Sequence, residues 1–492
     1  MADIETAVPV SKPSFSWKRV LFIVAGLVIF FWIFYMPAWP DAIDPGGKHF
    51  PLSSQGKGAI ALFLLAGIWW VFEVVPIGVT SIAIGVFQSL FAIRSTKDAF
   101  RDFMDPSVMF IFASVVVGIA FTKTGLTKRL AYKMLEIVGE KTSMIVLGAL
   151  VVTALLAHVM AHTAAAATVF PILLAVNALY GEGDRPTKFG KSLFIGMAYA
   201  AGAGSIITFL GSARAAAGAG MFREFTGKYI GFFELSKYMF PIGWVMVFVI
   251  WIILMIFLRP EKKVITGLRE RVAELSKQLG PMTRNEKFVI ITVLGAIVVM
   301  SLQSFIPALK PFDRSAIMLV STLLFFLFRV LSVKELEDIP WNIILLFSGA
   351  MSIGFCLWKT GAAQWMAVEW LVLFQKAHWL IFVLGVATFV LVLTNFIMNV
   401  AAIAISLPVS LVIANYLGVA PEPIFYASLV TAGMPFVLLI GAAPNAIAYE
   451  SKQFTTGEFF GYGLLPSVIL IAFLALALLV IWPLLGMPVL LK

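Results

Sequence analysis

The sequence is short of most of what soluble chemistry uses. One cysteine, Cys356, serves all 492 residues, so no intramolecular disulfide can form and cysteine usage says nothing about compartment. There are four histidines, and only 13% of residues are charged, where a soluble domain carries about a quarter. Polar runs are scarce too: the one sizeable example is 259–287, "RPEKKVITGLRERVAELSKQLGPMTRNEK". No cleavable leader is expected either. The first sixteen residues are polar, and Trp17-Lys18-Arg19 leads into an apolar run with no small-residue cleavage site behind it, which reads as a retained first helix.

What is present is apolar. Hydrophobic residues make up 61% of the chain, and many windows reach the roughly 20 apolar residues that cross about 30 Å of hydrocarbon. The expectation is an all-α polytopic membrane protein with the lipid bilayer as its solvent. The net charge of +10 does not point to nucleic acid, because the basic residues lie in short loops between spans, where topology requires them.

Spans are expected near Val20–Trp39, Gly58–Val75, Ile77–Ile93 and Val108–Phe121. An amphipathic basic stretch, "KTGLTKRLAYKMLEIVGEK", then suits the membrane interface. The segment 144–176 holds two short helices but not two full spans, which suggests a re-entrant hairpin with its tip near Ala161-His162-Thr163. Further spans begin near Leu193 and cover Met239–Leu258. After the polar linker 259–287 the pattern restarts: spans near Phe288–Gln303, Ala316–Leu331 and Ile343–Leu357, a second hairpin over 380–413, and last spans near Pro423–Ile440 and Phe460–Leu485.

The restart is an internal repeat. "AFTKTGLTKRLA" at 120–131 answers "CLWKTGAAQWMA" at 356–367, "AHTAAAATVFP" at 161–171 answers "MNVAAIAISLP" at 398–408, and "GSARAAA" at 211–217 answers "GAAPNAI" at 441–447. The division that follows is 1–57 (tail, first helix and outer loop), 58–258 (first repeat, with a helix broken near 211–215), the cytoplasmic linker 259–287, and 288–492 (second repeat, broken near 441–445). With the amino terminus inside, 22 basic residues fall on the cytoplasmic side against 13 outside, which favours eleven spans, an outer carboxyl terminus and one hairpin entering from each side. Inverted repeats with broken helices at their interface point to a secondary transporter.

The chain resembles the divalent anion/sodium symporter family of citrate, succinate and sulfate carriers over nearly all of its length after the first span. "WWVFEVVPIGVTSI" is similar to that family's W-x-x-E-x-x-P-x-x-x-T stretch, with Glu73 and Pro76 in place. The family carries Ser-Asn-Thr at each hairpin tip, ten residues before a proline, and a Gly-Thr-Pro-Pro-Asn-like break in the following helix. The resemblance implies an elevator-type carrier, a homodimer, a bacterial inner membrane location and no cofactor beyond sodium ion.

It also implies which residues to watch. The first tip reads Ala161-His162-Thr163 and the second Met398-Asn399-Val400; both tips are expected to touch substrate. Thr394, Asn399, Gly441 and Asn445 match sodium-ligand positions of the second repeat. The first repeat departs further, with Ala157, His162 and "GSARA" where the family has ligands. His162 is accordingly expected to couple a proton in place of sodium, since imidazole titrates near neutrality. Arg214 is expected to grip the anion with its planar fork, because an arginine at membrane depth needs a polar cavity or a partner.

The reading is therefore a secondary active transporter of a small divalent anion, a C4-type dicarboxylate or sulfate or sulfonate, coupled to sodium or protons or working by exchange. The alternatives are an anion channel or uniporter on the same fold, or a membrane metalloenzyme using His158 and His162 at i, i+4 spacing.

Overall fold

A computed structural model describes residues 17–491, apart from 45–46, 73, 182–184, 304, 310, 375–376 and 397. Glu73 and the first sixteen residues of the expected tail lie outside the described residues. Among the described residues, apart from a two-stranded ribbon pairing Ala42–Ile43 with His49–Phe50, the regular structure is helical. That is the outcome hydrocarbon enforces, because a helix satisfies its own backbone where no water can.

The first half contains α1 (Trp17–Tyr35), α2 (Ser54–Val71), α3 (Ile77–Leu90), α4 (Thr96–Arg101), α5 (Pro106–Thr124), α6 (Leu126–Val138), α7 (Thr142–Val159), α8 (His162–Leu179), α9 (Lys188–Ser205), α10 (Ala213–Thr226) and α11 (Phe232–Phe257). The linker forms α12 (Leu268–Gln278). The second half contains α13 (Arg284–Leu302), α14 (Arg314–Leu327), α15 (Val333–Glu337), α16 (Trp341–Lys359), α17 (Ala362–Phe374), α18 (Trp379–Phe396), α19 (Asn399–Tyr416), α20 (Pro421–Ala432), α21 (Ala443–Tyr449) and α22 (Thr456–Leu476). Among the described residues, nine helices are long and apolar enough to cross a membrane, and they include all four hairpin arms.

The two halves repeat local chemistry as well as order. Lys123-Thr124-Gly125 and Lys359-Thr360-Gly361 each end a long helix on a glycine at positive φ, +85° and +77°, a turn for which glycine carries no Cβ penalty. Pro171 and Pro408 are each the tenth residue of the helix that leaves a hairpin tip. The amphipathic α6 turns Leu126, Ala131 and Leu135 inward, while Arg129 bonds Glu286 at 2.8 Å and the Gly280 carbonyl at 2.9 Å, fastening the linker to it.

Two expected boundaries move. Each hairpin arm has 18 residues, about 27 Å at 1.5 Å per residue, so the arms are nearly full spans rather than short helices. The breaks also open earlier than the motifs suggested. α9 stops at Ser205, whose hydroxyl bonds back to the Gly202 carbonyl at 2.7 Å. The expected span Pro423–Ile440 is not one helix: α20 stops at Ala432. Pro435 has no amide hydrogen to continue a helix, and Asn395 Oδ1 takes the amides of Val437 and Leu438 at 3.0 Å each.

Candidate functional site

Where α8 and α19 begin, no side chain caps the helix. An α-helix has four orphan N–H groups at its start, and Ser53, Asp105, Thr187, Thr283, Asp313 and Thr455 cap other helices with a side-chain oxygen. Ala161 and Met398 hold that position at α8 and α19, and neither supplies a side-chain cap. Both starts line one cavity of about 790 Å³, together with Ser212, Ala213 and Gly441–Ala443 from the two breaks. α5 and α16 complete the lining, which includes Lys123 and Asp338; Lys123, in the last turn of α5, comes just before α6, the helix that Arg129 ties to the linker. Uncapped amides and aligned helix dipoles attract an anion.

The structure distributes the expected site residues over two layers. Ala161, His162, Thr163, Met398, Asn399, Val400 and Gly441 line the cavity. Thr394, Asn445 and Arg214 lie behind the lining, buried to 0%, 2% and 1% exposure. The backbone amide of His162 donates to the Gly211 carbonyl at 3.1 Å, joining tip to break in the first repeat. A Cβ at Gly211 would collide with the Ala157 carbonyl oxygen, so only glycine fits there. The ring Nδ1 of His162 is buried without a hydrogen-bond partner.

The two-point grip expected of Arg214 is not the arrangement found. Its Nη1 donates to Ser212 Oγ at 2.6 Å and its Nη2 to Ser205 Oγ at 2.8 Å, so the fork is already held by two hydroxyls. The guanidinium occupies the gap between the breaks, where α9 and α20 end. Helix carboxyl termini carry partial negative charge, which compensates a buried cation that bonds hydroxyls and no carboxylate. Neither serine nor the approach of Gly433 was legible in sequence; "GAGS" before the break and "TAG" before Met434 are the only signals, and both read as packing.

In the second repeat Thr394, Asn399 and Gly441 come together, and Asn445 lies deeper in the break. Thr394 Oγ1 lies 3.1 Å from both Asn399 Oδ1 and the Ala432 carbonyl. A Cβ on Gly441 would sit 2.9 Å from the Thr394 carbonyl oxygen. Asn445 Nδ2 donates to the Pro435 and Leu438 carbonyls at 2.8 and 3.1 Å, which pins the break open. Asn395 was missed: it lies beside Thr394 and organises the same break from the hairpin side.

The histidine spacing does not make a metal site. His158 belongs to α7 and His162 starts α8, so the chain reverses between them, and the His158 ring stands edge-on to Trp244 at 5.6 Å. Among the described residues no cluster of three or more His, Cys, Asp or Glu side chains could hold a metal ion.

Residues 16–488 match the sodium:sulfate symporter transmembrane region. A sodium-dependent dicarboxylate transporter of Staphylococcus saprophyticus is 25% identical over 460 residues, covering 89% of this chain and 88% of that protein. One from Staphylococcus aureus is 23% identical over 430 residues, covering 83% and 82%. The crystal structure of the Alcanivorax borkumensis YdaH transporter superposes with a TM-score of 0.56 at 12% identity, over 96% of this chain and 98% of that one, a likeness of fold alone. With broken helices and uncapped tips meeting at one cavity, the chain belongs to the sodium:sulfate symporter family, an integral membrane protein of the secondary active transporters that carry divalent anions and not an enzyme.

Proposed function

We propose that this cavity binds a divalent anion, a C4-type dicarboxylate or a sulfate or sulfonate, and carries it across the membrane. The observation that supports this most is the pair of uncapped helix starts, α8 and α19, converging on one space. Arg214 supplies a permanent positive charge through Ser212 rather than by direct contact. The names of the staphylococcal relatives support a dicarboxylate.

Coupling follows from the asymmetry of the repeats. Sodium is taken at Thr394, Asn399, Gly441 and Asn445, where oxygens gather beside the second tip. In the first repeat the guanidinium of Arg214 takes the part of a fixed cation, and His162 takes a proton with the substrate. Each net charge moved costs or yields about 2.3 kcal/mol per 100 mV. A dianion entering with fewer than two cations therefore works against an inside-negative potential, and the carrier must use protons, exchange one anion for another, or accumulate its substrate weakly.

The chain works as a homodimer in a bacterial inner membrane, with the amino terminus and the 259–287 linker inside and the carboxyl terminus outside. Eleven spans and two inverted repeats, 58–258 and 288–492, form a scaffold and a moving body of the elevator type. Lys123, beside the helix tied to that linker, then faces the cytoplasm.

A thermal-shift screen of purified protein against succinate, citrate, sulfate and sulfonates tests binding, and counterflow in proteoliposomes tests transport. Stabilisation by a dianion and saturable counterflow support the carrier. Flux that does not saturate indicates a channel and overturns it.

A further inference from the structure

The cavity is larger and greasier than a bare dianion requires. Its volume of about 790 Å³ lies in the upper part of the roughly 300–1,000 Å³ that hold drug-sized ligands. The charged side chains in the lining are Lys123 and Asp338. Facing the tips, α5 and α16 present Ile111, Val115, Ile119, Ile343 and Phe347, and Ile440 projects into the same space at 65% exposure. On the tip side, Met398 and Val400 flank Asn399.

Across from the tips the wall offers an anion little: Ser114 and Thr122 of α5 spend their hydroxyl hydrogens on the Phe110 and Gly118 carbonyls, and Lys123 is already paired with Glu335. Apolar walls give back none of the hydration that an anion loses, so a second anionic group at the far wall has no partner. An alkyl or aryl group in that position gains from the burial of each carbon. We propose that the substrate is an amphiphilic dianion, with its anionic groups together at the helix starts of α8 and α19 and an apolar substituent against the α5–α16 wall. Four-carbon dicarboxylates bearing an alkyl or benzyl side chain have that form. This inference rests on the carrier reading above and narrows its substrate.

The closing experiment measures binding of succinate, methylsuccinate, butylsuccinate and benzylsuccinate to the purified full chain, with sulfate alongside. Each buried methylene is worth about 0.8 kcal/mol, or roughly fourfold in Kd, so butylsuccinate is expected to bind at least tenfold more tightly than succinate. The double variant Val115→Thr, Ile343→Thr makes the α5–α16 wall more polar. It should narrow that preference to about threefold or less while leaving succinate affinity within about twofold. Equal affinity for succinate and butylsuccinate, or an unaltered tail preference in the double variant, overturns the amphiphilic substrate and leaves the dianion carrier standing. Absence of binding by every anion in the series overturns both.

Discussion

Arg214 Nη2 comes so near Gly433 that a Cβ built there would lie 2.5 Å from the nitrogen. The buried cation of the first repeat is thus seated in the break of the second. Gly433→Ala should displace the guanidinium without removing its charge. Charges in contact interact by about 4 kcal/mol at an effective dielectric near 20, and less with distance. Substrate affinity is therefore expected to fall by about tenfold in Gly433→Ala and further in Arg214→Ala, with Arg214→Lys recovering part. Calorimetric titration checks the ranking; unchanged affinity in both Gly433→Ala and Arg214→Ala would show that the cation only packs the breaks.

His162 presents an unpartnered ring nitrogen at the first tip. If anion and proton bind there together, each raises the affinity of the other by the same factor. His162→Asn, which restores the family residue, should flatten the dependence of uptake on pH while leaving measurable transport. Retention of the full pH profile would remove His162 from the coupling step.

Sodium activation should depend on the second repeat more than on the first. Asn399→Ala deletes the oxygen 3.1 Å from Thr394 Oγ1, and the half-saturating sodium concentration is expected to rise about tenfold, the scale of one lost hydrogen bond to a charged group. Thr163→Ala should change it about twofold or less. The reverse ranking in sodium titrations of uptake would count against the assignment.

The mouth of the cavity carries a pH-sensitive tie. Hydrogen bonds from Lys123 and then Ser332 hold the Glu335 carboxyl down to about 2, from an ordinary value of 4.5. A carboxyl depressed on folding adds stability above its unfolded value and loses it as pH falls through the folded one. The Tm difference between the wild type and Glu335→Gln in detergent should be constant above about pH 5 and shrink between about 4.5 and 2. A difference already gone at pH 5 would contradict the pairing.

Cys356 is wholly buried, so its replacement gives a quiet background for labelling. Gln278 and Pro311 are both exposed, on the linker and on the loop before α14. Single cysteines there should react with an impermeant maleimide from opposite sides of the membrane. Labelling of both from one side would sink the eleven-span topology.

While the tip and second-repeat positions to watch came from the resemblance to a family, hydropathy and spacing were enough to read the class, most of the helices and both hairpins. These are properties of short segments: apolar run length measures what hydrocarbon accepts, and Lys-Thr-Gly or a proline ten residues beyond a tip acts on its own backbone. The boundaries that moved were set by neighbours distant in sequence. Asn395 captures two amides of the second break from the adjacent hairpin, and no propensity of 433–442 announces it. The direction of Arg214 was likewise decided by tertiary packing. A long side chain at a break can reach the cavity or turn back, and Ser205, Ser212 and the missing Cβ of Gly433 make the second choice the satisfied one. Sequence gave the cation its depth in the membrane, because the cost of burial depends on the segment. Only the meeting of two helix carboxyl termini, from α9 and α20, gave it a place, because that compensation exists only once both repeats have folded together.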